Sequence, residues 1–117
     1  LKYLLSPLIK KSNKKVETLL KKINKTKAEI LKIENMRPGS VTRQKHVRGK
    51  KTWPFWQISY TQNRKSKTEY LRDEFVDQIK TEVKNYKLFK FLVEKLVRLN
   101  IELSKEKLKI LKNDRAI

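Results

Sequence analysis

The chain of 117 residues has no cysteine and one histidine, His46. That excludes a disulfide scaffold, a thiolate-ligated zinc site and a cysteine nucleophile. A lone imidazole leaves no material for a histidine-based metal site or a catalytic triad. Two glycines and three prolines are too few to build the turns of a many-stranded sandwich. Acidic residues are scarce, 12 against 31 Lys and Arg, for a net charge of +19. No apolar run approaches the ~18 residues needed to cross a bilayer, so no membrane association is expected and the default expectation is a cytoplasmic protein. Hydrophobic residues make up 38% and charged residues 37%, a balance that suits long exposed helices around a thin core.

What is present is unevenly placed. Residues 36–72 carry ten basic side chains and one acidic one, Glu69. Residues 73–117 carry eleven basic and eight acidic side chains, a mixture that reads as a solvated helix. A folded chain gains nothing from the self-repulsion of the middle third, so a polyanionic partner is expected.

The periodicity predicts a single domain, 1–117, of α+β class and mainly helical. Two long antiparallel helices are joined through a small three-stranded antiparallel sheet. In the first helix, 7–36, Ile9, Val16, Ile23 and Ile30 recur every seven residues, as do Ser12, Leu19, Thr26 and Ile33, the spacing of a helix seam. Ser6-Pro7 suits its start, and Pro38-Gly39 its end. The β region, 40–71, is expected to hold strands at 40–47, 55–61 and 66–71. A basic loop is expected at 48–54 and a turn at 62–65. Trp56, Ile58 and Tyr60 alternate onto one face, expected to be the buried one. The second helix, 73–112, has seams at Ile79, Tyr86, Val93, Asn100 and Lys107 and at Phe75, Glu82, Phe89, Leu96, Leu103 and Ile110. Val76, Val83, Leu92, Val97 and Leu99 flank them. So wide an apolar stripe predicts a homodimer or a protein partner packed through Phe89, Val93, Leu96 and Leu103.

Basic residues interleaved with aromatics are the strongest functional signal. Arg43, Lys45, Arg48, Lys50, Lys51, Arg64, Lys65 and Lys67 are expected to neutralise phosphates, with Trp53 as a contacting ring among them. The helix-one lysines Lys10, Lys11, Lys14, Lys15, Lys21, Lys22, Lys25 and Lys27 offer a second basic surface. No enzyme is expected: the basic region has only Glu69, too few carboxylates for two-metal chemistry, and Gly39 and Gly49 stand alone rather than in a phosphate loop. No cofactor and no metal are expected. The expectation is a nucleic-acid-binding protein, with a helical adaptor or an RNA-binding subunit of a larger ribonucleoprotein as the alternative.

Five segments carry a resemblance. They are Met36-Arg37-Pro38-Gly39-Ser40-Val41, Trp53-Pro54-Phe55-Trp56-Gln57-Ile58-Ser59-Tyr60-Thr61, Arg64 to Leu71, Asn85-Tyr86-Lys87-Leu88-Phe89-Lys90, and Leu99-Asn100-Ile101-Glu102-Leu103. In order and spacing they resemble a family of short uncharacterised bacterial and archaeal proteins, a domain of unknown function often found with transposons. The resemblance spans residues 35–104 and implies a link to mobile DNA, which puts DNA ahead of RNA and adds a transposase complex to the alternatives. Family members commonly carry a cysteine knuckle before the aromatic strand. Lys45 to Thr52 stand there instead, so no metal carries over.

Overall fold

Asn13 caps the first described helix. Its backbone is extended, and its side-chain oxygen accepts from the amides of Lys15 at 2.9 Å and Val16 at 3.2 Å. Those donors have no partner inside the helix. The computed structural model describes residues 13–116, side chains up to 114. The expected start at Ser6-Pro7, with Ile9, Ser12, Lys10 and Lys11, lies outside them. Helix α1 spans Lys14–Leu31, then strands β1 Ser40–Arg48, β2 Lys51–Gln62 and β3 Lys65–Leu71. A 3-10 turn, Asp73–Phe75, leads into α2, Val76–Ala116. This is the expected α+β class, with a sheet in the order β1-β2-β3, antiparallel throughout.

The boundaries correct several expectations. The helix capped by Asn13 ends at Leu31, not at Met36. Lys32 closes it by donating to Glu29 and Ile30 carbonyls. The chain beyond is held by α2 instead: Arg37 N donates to the Glu82 carbonyl at 3.1 Å, and Asn85 Nδ2 donates to the Asn35 carbonyl at 2.9 Å. The basic loop expected at 48–54 does not exist. A two-residue turn, Gly49-Lys50, joins β1 to β2, and Lys51 to Pro54 pair with Arg48 to Lys45. Gly49 has φ 62, the sign required at the first central position of a type II′ hairpin turn. The second turn, Asn63-Arg64, has positive φ at both residues, 52 and 64, as a type I′ turn demands.

Pro54 sits inside the central strand, which a missing N–H should forbid. The register resolves this. β3 covers β2 only from Trp56 to Gln62, so at Pro54 the strand has β1 on one side and no described strand on the other. The outer half of the β1–β2 hairpin is a two-stranded ribbon.

The chain forms two compact units. One combines α1 with α2 from Phe91 onward; the other is Ile33–Lys90. In the first, Val16, Leu19 and Ile23 of α1 pack with Leu99 and Leu103 of α2, and Leu20, Leu96 and Ile110 close around them. Lys15 reaches Glu106 at 3.6 Å, so the start of α1 meets the late part of α2 and the two run antiparallel. Thr26 keeps its seam position buried by returning its hydroxyl to the Lys22 carbonyl at 2.8 Å. In the second unit Ile58, Leu71, Val76 and Val83 are buried.

On α2 the core comes chiefly from the residues expected to flank the seam: Val76, Val83, Leu92 and Leu99, with Leu103 the seam residue that is buried. The wide stripe is therefore the sum of two narrower ones serving different units. This corrects the expected partner surface. Leu103 is 6% exposed in the core formed with α1, Leu96 packs against that core, and Phe89 and Val93 are half-buried. Leu96 and Leu103 are thus engaged with the chain's own α1.

Candidate nucleic-acid interface

Strand alternation sorts the sheet residues onto two faces. Trp56, Ile58 and Tyr60 lie on one face with Val41, Arg43, Lys45, Lys67 and Glu69. That face meets the start of α2: Lys80 Nζ stands 4.6 Å from the Trp56 ring centre, and Arg43 lies 5.5 Å from the same ring. Ile58 is 1% exposed, as expected of the buried face. Tyr60 is part of a polar cluster. Its hydroxyl donates to Glu69 Oε1 at 2.6 Å, Arg37 lies over its ring at 5.0 Å, and Arg37 reaches Glu69 at 3.7 Å. The hydrogen bond to Glu69 raises the Tyr60 phenol above its ordinary value of 10.0; partial loss of hydration and the carboxylate's charge act in the same direction, while Arg37 opposes them.

The other face of the sheet carries His46, Trp53, Phe55 and Tyr70, with Thr42, Gln44, Gln57, Ser59 and Thr68 beside them. Arg48 and Lys51 join it at the ribbon tip. Glu69, the one carboxylate of residues 36–72, belongs to the opposite face.

The residues expected to touch phosphate are all exposed: Arg43, Lys45, Arg48, Lys50, Lys51, Arg64, Lys65 and Lys67. Trp53 is 43% exposed. They do not gather into one rim. Arg48 to Lys51 form the tip of the ribbon, whereas Arg64 and Lys65 lie at the other end of β2. Twelve residues of strand make eleven steps of ~3.3 Å and separate the two turns by roughly 36 Å. Arg43, Lys45 and Lys67 extend from the α2-facing side. Among the described residues the ion pairs are Arg37–Glu69, Arg72–Glu74, Lys15–Glu106 and Lys109–Glu106. None of the eight expected contacts is in one; Lys67 Nζ donates to neutral Gln62 at 3.4 Å.

Arg64 is held in the left-handed backbone region, φ 64. A side chain there costs about 1–2 kcal/mol that glycine would not. The conformation comes from the turn, and the charge is retained at a position where glycine would fit better.

Sequence reasoning missed two groups. His46 and Tyr70 join Trp53 and Phe55 on the open face. The signal was Arg48-Gly49-Lys50-Lys51, whose glycine marks a two-residue turn and thereby sets His46 opposite Trp53. Lys80, Lys84 and Lys87 line a cleft with Ser40, Val41 and Val83. The overall charge balance of the long helix hid them, because it averages a basic stretch with acidic ones elsewhere. In the helical unit Lys22, Lys25, Lys95 and Arg98 line a cleft with Leu99 and one acid, Glu102. No group of His, Cys, Asp and Glu side chains able to hold a metal ion exists among the described residues. No described helix is long and apolar enough to cross a membrane.

The fold and this surface define an α+β protein with a three-stranded sheet, one face against a helix and one open, and uncompensated basic groups at both ends of the central strand. No protein-family profile, no curated protein and no solved structure matches the chain.

Proposed function

We propose that the protein is a non-enzymatic nucleic-acid-binding protein, with DNA ahead of RNA, that holds the phosphate backbone through its basic β region and the lysines of α1. The observation that carries this is the set of eight exposed basic side chains between Arg43 and Lys67 with no carboxylate partner among the described residues. Each phosphate they neutralise releases condensed counterions, a driving force independent of base sequence. The strained Arg64 supports the same reading, since strained backbone at a charged position accords with function rather than stability. The transposon setting implied by the family resemblance belongs to this proposal.

A gel-shift titration with duplex DNA, single-stranded DNA and structured RNA tests it. Reversing Lys50, Lys51, Arg64 and Lys65 together abolishes binding and leaves the far-ultraviolet helix signal intact. The control reverses Lys90, Lys105 and Lys112, all exposed and outside the ion pairs. Lys109 is left alone because it holds Glu106 at 3.5 Å. Loss of binding in the control, with the turn variant still binding, removes the β region from the proposal.

One observation favours a second reading, a helical adaptor. Val97, Ile101, Leu108 and Leu111 stand 53%, 51%, 54% and 47% exposed along α2 at helical spacing. Arg98, Lys105 and Lys112 flank them, so the stripe suits an acidic amphipathic helix better than a second copy of this chain. Light scattering at tens of micromolar separates the two, because a clean monomer excludes self-pairing.

A further inference from the structure

We infer that the open face of the sheet is a stacking platform for unpaired bases, so the ligand of the basic β region is a single strand rather than a duplex. This rests on the nucleic-acid reading above and narrows its substrate class.

The inference starts from the rings. His46 lies 5.4 Å from Trp53 and 5.4 Å from Phe55, and Phe55 lies 6.5 Å from Tyr70, centre to centre. The four form a continuous row across all three strands. Tyr70 is 70% exposed and Trp53 43%. Large rings left in water on one sheet face, in contact with each other but not with the core, mark a surface that meets a partner. Contrast Trp56 and Tyr60 on the opposite face, whose rings are occupied by Lys80, Arg43 and Arg37.

The surroundings select the partner's chemistry. The row is bordered by neutral hydrogen-bonding groups, Thr42, Gln44, Gln57, Ser59 and Thr68, and contains no carboxylate. Arg48 and Lys51 share the face at its tip, and Arg64 lies at the turn that ends β2. An aromatic row, its neighbouring rings tilted 31–48° to one another, with uncharged polar groups between cationic ends fits an extended polyanion with flat apolar faces that can seat on one ring after another. Bases within a duplex are stacked on one another and hidden from such a row, while unpaired bases present their faces to it. Each base–ring stack is worth about 1–3 kcal/mol, with little dependence on base identity.

The test uses the full chain with dT15, rU15 and a 15-base-pair DNA duplex. Wild type binds one or both single strands more tightly than the duplex, and its tryptophan fluorescence is quenched on binding. Trp53→Ala with Tyr70→Ala lowers single-strand affinity by roughly tenfold per ring and leaves duplex affinity unchanged. Trp53→Phe with Tyr70→Phe keeps the stacking faces and restores near-wild-type affinity, which separates stacking from misfolding. The dT15 and rU15 arms tell DNA from RNA, and preference for either supports the platform. If wild type prefers the duplex, or the double alanine variant binds single strands as well as wild type, the platform is wrong while the phosphate-binding proposal stands. If wild type binds none of the three probes at low salt, both fail.

Discussion

Gly39→Ala probes the junction that delivers the chain into the sheet. Gly39 has φ +146, and a Cβ there would lie 2.9 Å from both Ile58 Cδ1 and Cγ1 and 3.2 Å from the Ser59 carbonyl oxygen. Ordinary carbon contacts begin near 3.5 Å. Ile58 is 1% exposed, so its side chain has no empty space to swing into, and the Ser59 carbonyl moves only if β2 moves. Two costs add: about 1–3 kcal/mol for a side chain in a backbone region reserved for glycine, and about 1–3 kcal/mol for overpacking a filled core. Gly49→Ala is the matched control. It has φ +62 but nothing within 4 Å of the added Cβ, so it carries the backbone cost without the clash. Urea unfolding followed by tryptophan fluorescence reads the sheet, because Trp53 and Trp56 both lie on β2. The expected result is that Gly39→Ala destabilises by about 1–3 kcal/mol more than Gly49→Ala. Ile58→Val removes the Cδ1 that clashes, so in the double variant part of the Gly39→Ala cost disappears. Equal losses from Gly39→Ala and Gly49→Ala would refute the packing argument.

Other consequences are independent of that one. Leu103→Ala empties part of the α1–α2 core and costs about 2–5 kcal/mol, read by urea unfolding with far-ultraviolet circular dichroism; a loss under 1 kcal/mol means that α1 does not depend on this face. Arg64→Gly relieves left-handed strain and raises stability by about 0.5–1 kcal/mol while weakening binding to nucleic acid; a stability loss contradicts the turn assignment. The raised Tyr60 phenol contributes stability that is fully present below its unfolded value near 10.0 and is lost as pH rises through the folded-state value. Glu69→Ala removes the acceptor and should bring the Tyr60 titration down towards the ordinary value in an ultraviolet difference spectrum taken against Tyr60→Phe, and no movement contradicts the assigned hydrogen bond. If phosphate neutralisation dominates binding, affinity falls about 10³-fold or more between 50 and 200 mM salt, and a flat dependence in a filter-binding assay sinks the electrostatic reading.

The sequence by itself determined the local pieces. A seven-residue repeat placed Val16, Leu19, Ile23 and Thr26 on one helix face, and those four are the buried residues of α1. Alternation placed Trp56, Ile58 and Tyr60 together, and the turn expected at 62–65 contains the observed type I′ pair Asn63-Arg64. These features depend on neighbours a few residues away, which fix periodicity and turn geometry before any tertiary contact forms. Tertiary structure decided the rest. A period of two says that β2 has two faces but not which one a helix will cover. That was settled by α2, with Lys80 over Trp56 and Asn85 bonded to a carbonyl fifty residues away. A wide apolar stripe gives the amount of surface α2 must bury but not how it is shared: Leu99 and Leu103 went to the core with α1, whereas Val76 and Val83 are buried in the unit that holds the sheet. The two basic turns are close in sequence, yet the extended strand between them sets them at opposite ends, because a β-strand converts each residue into ~3.3 Å of separation.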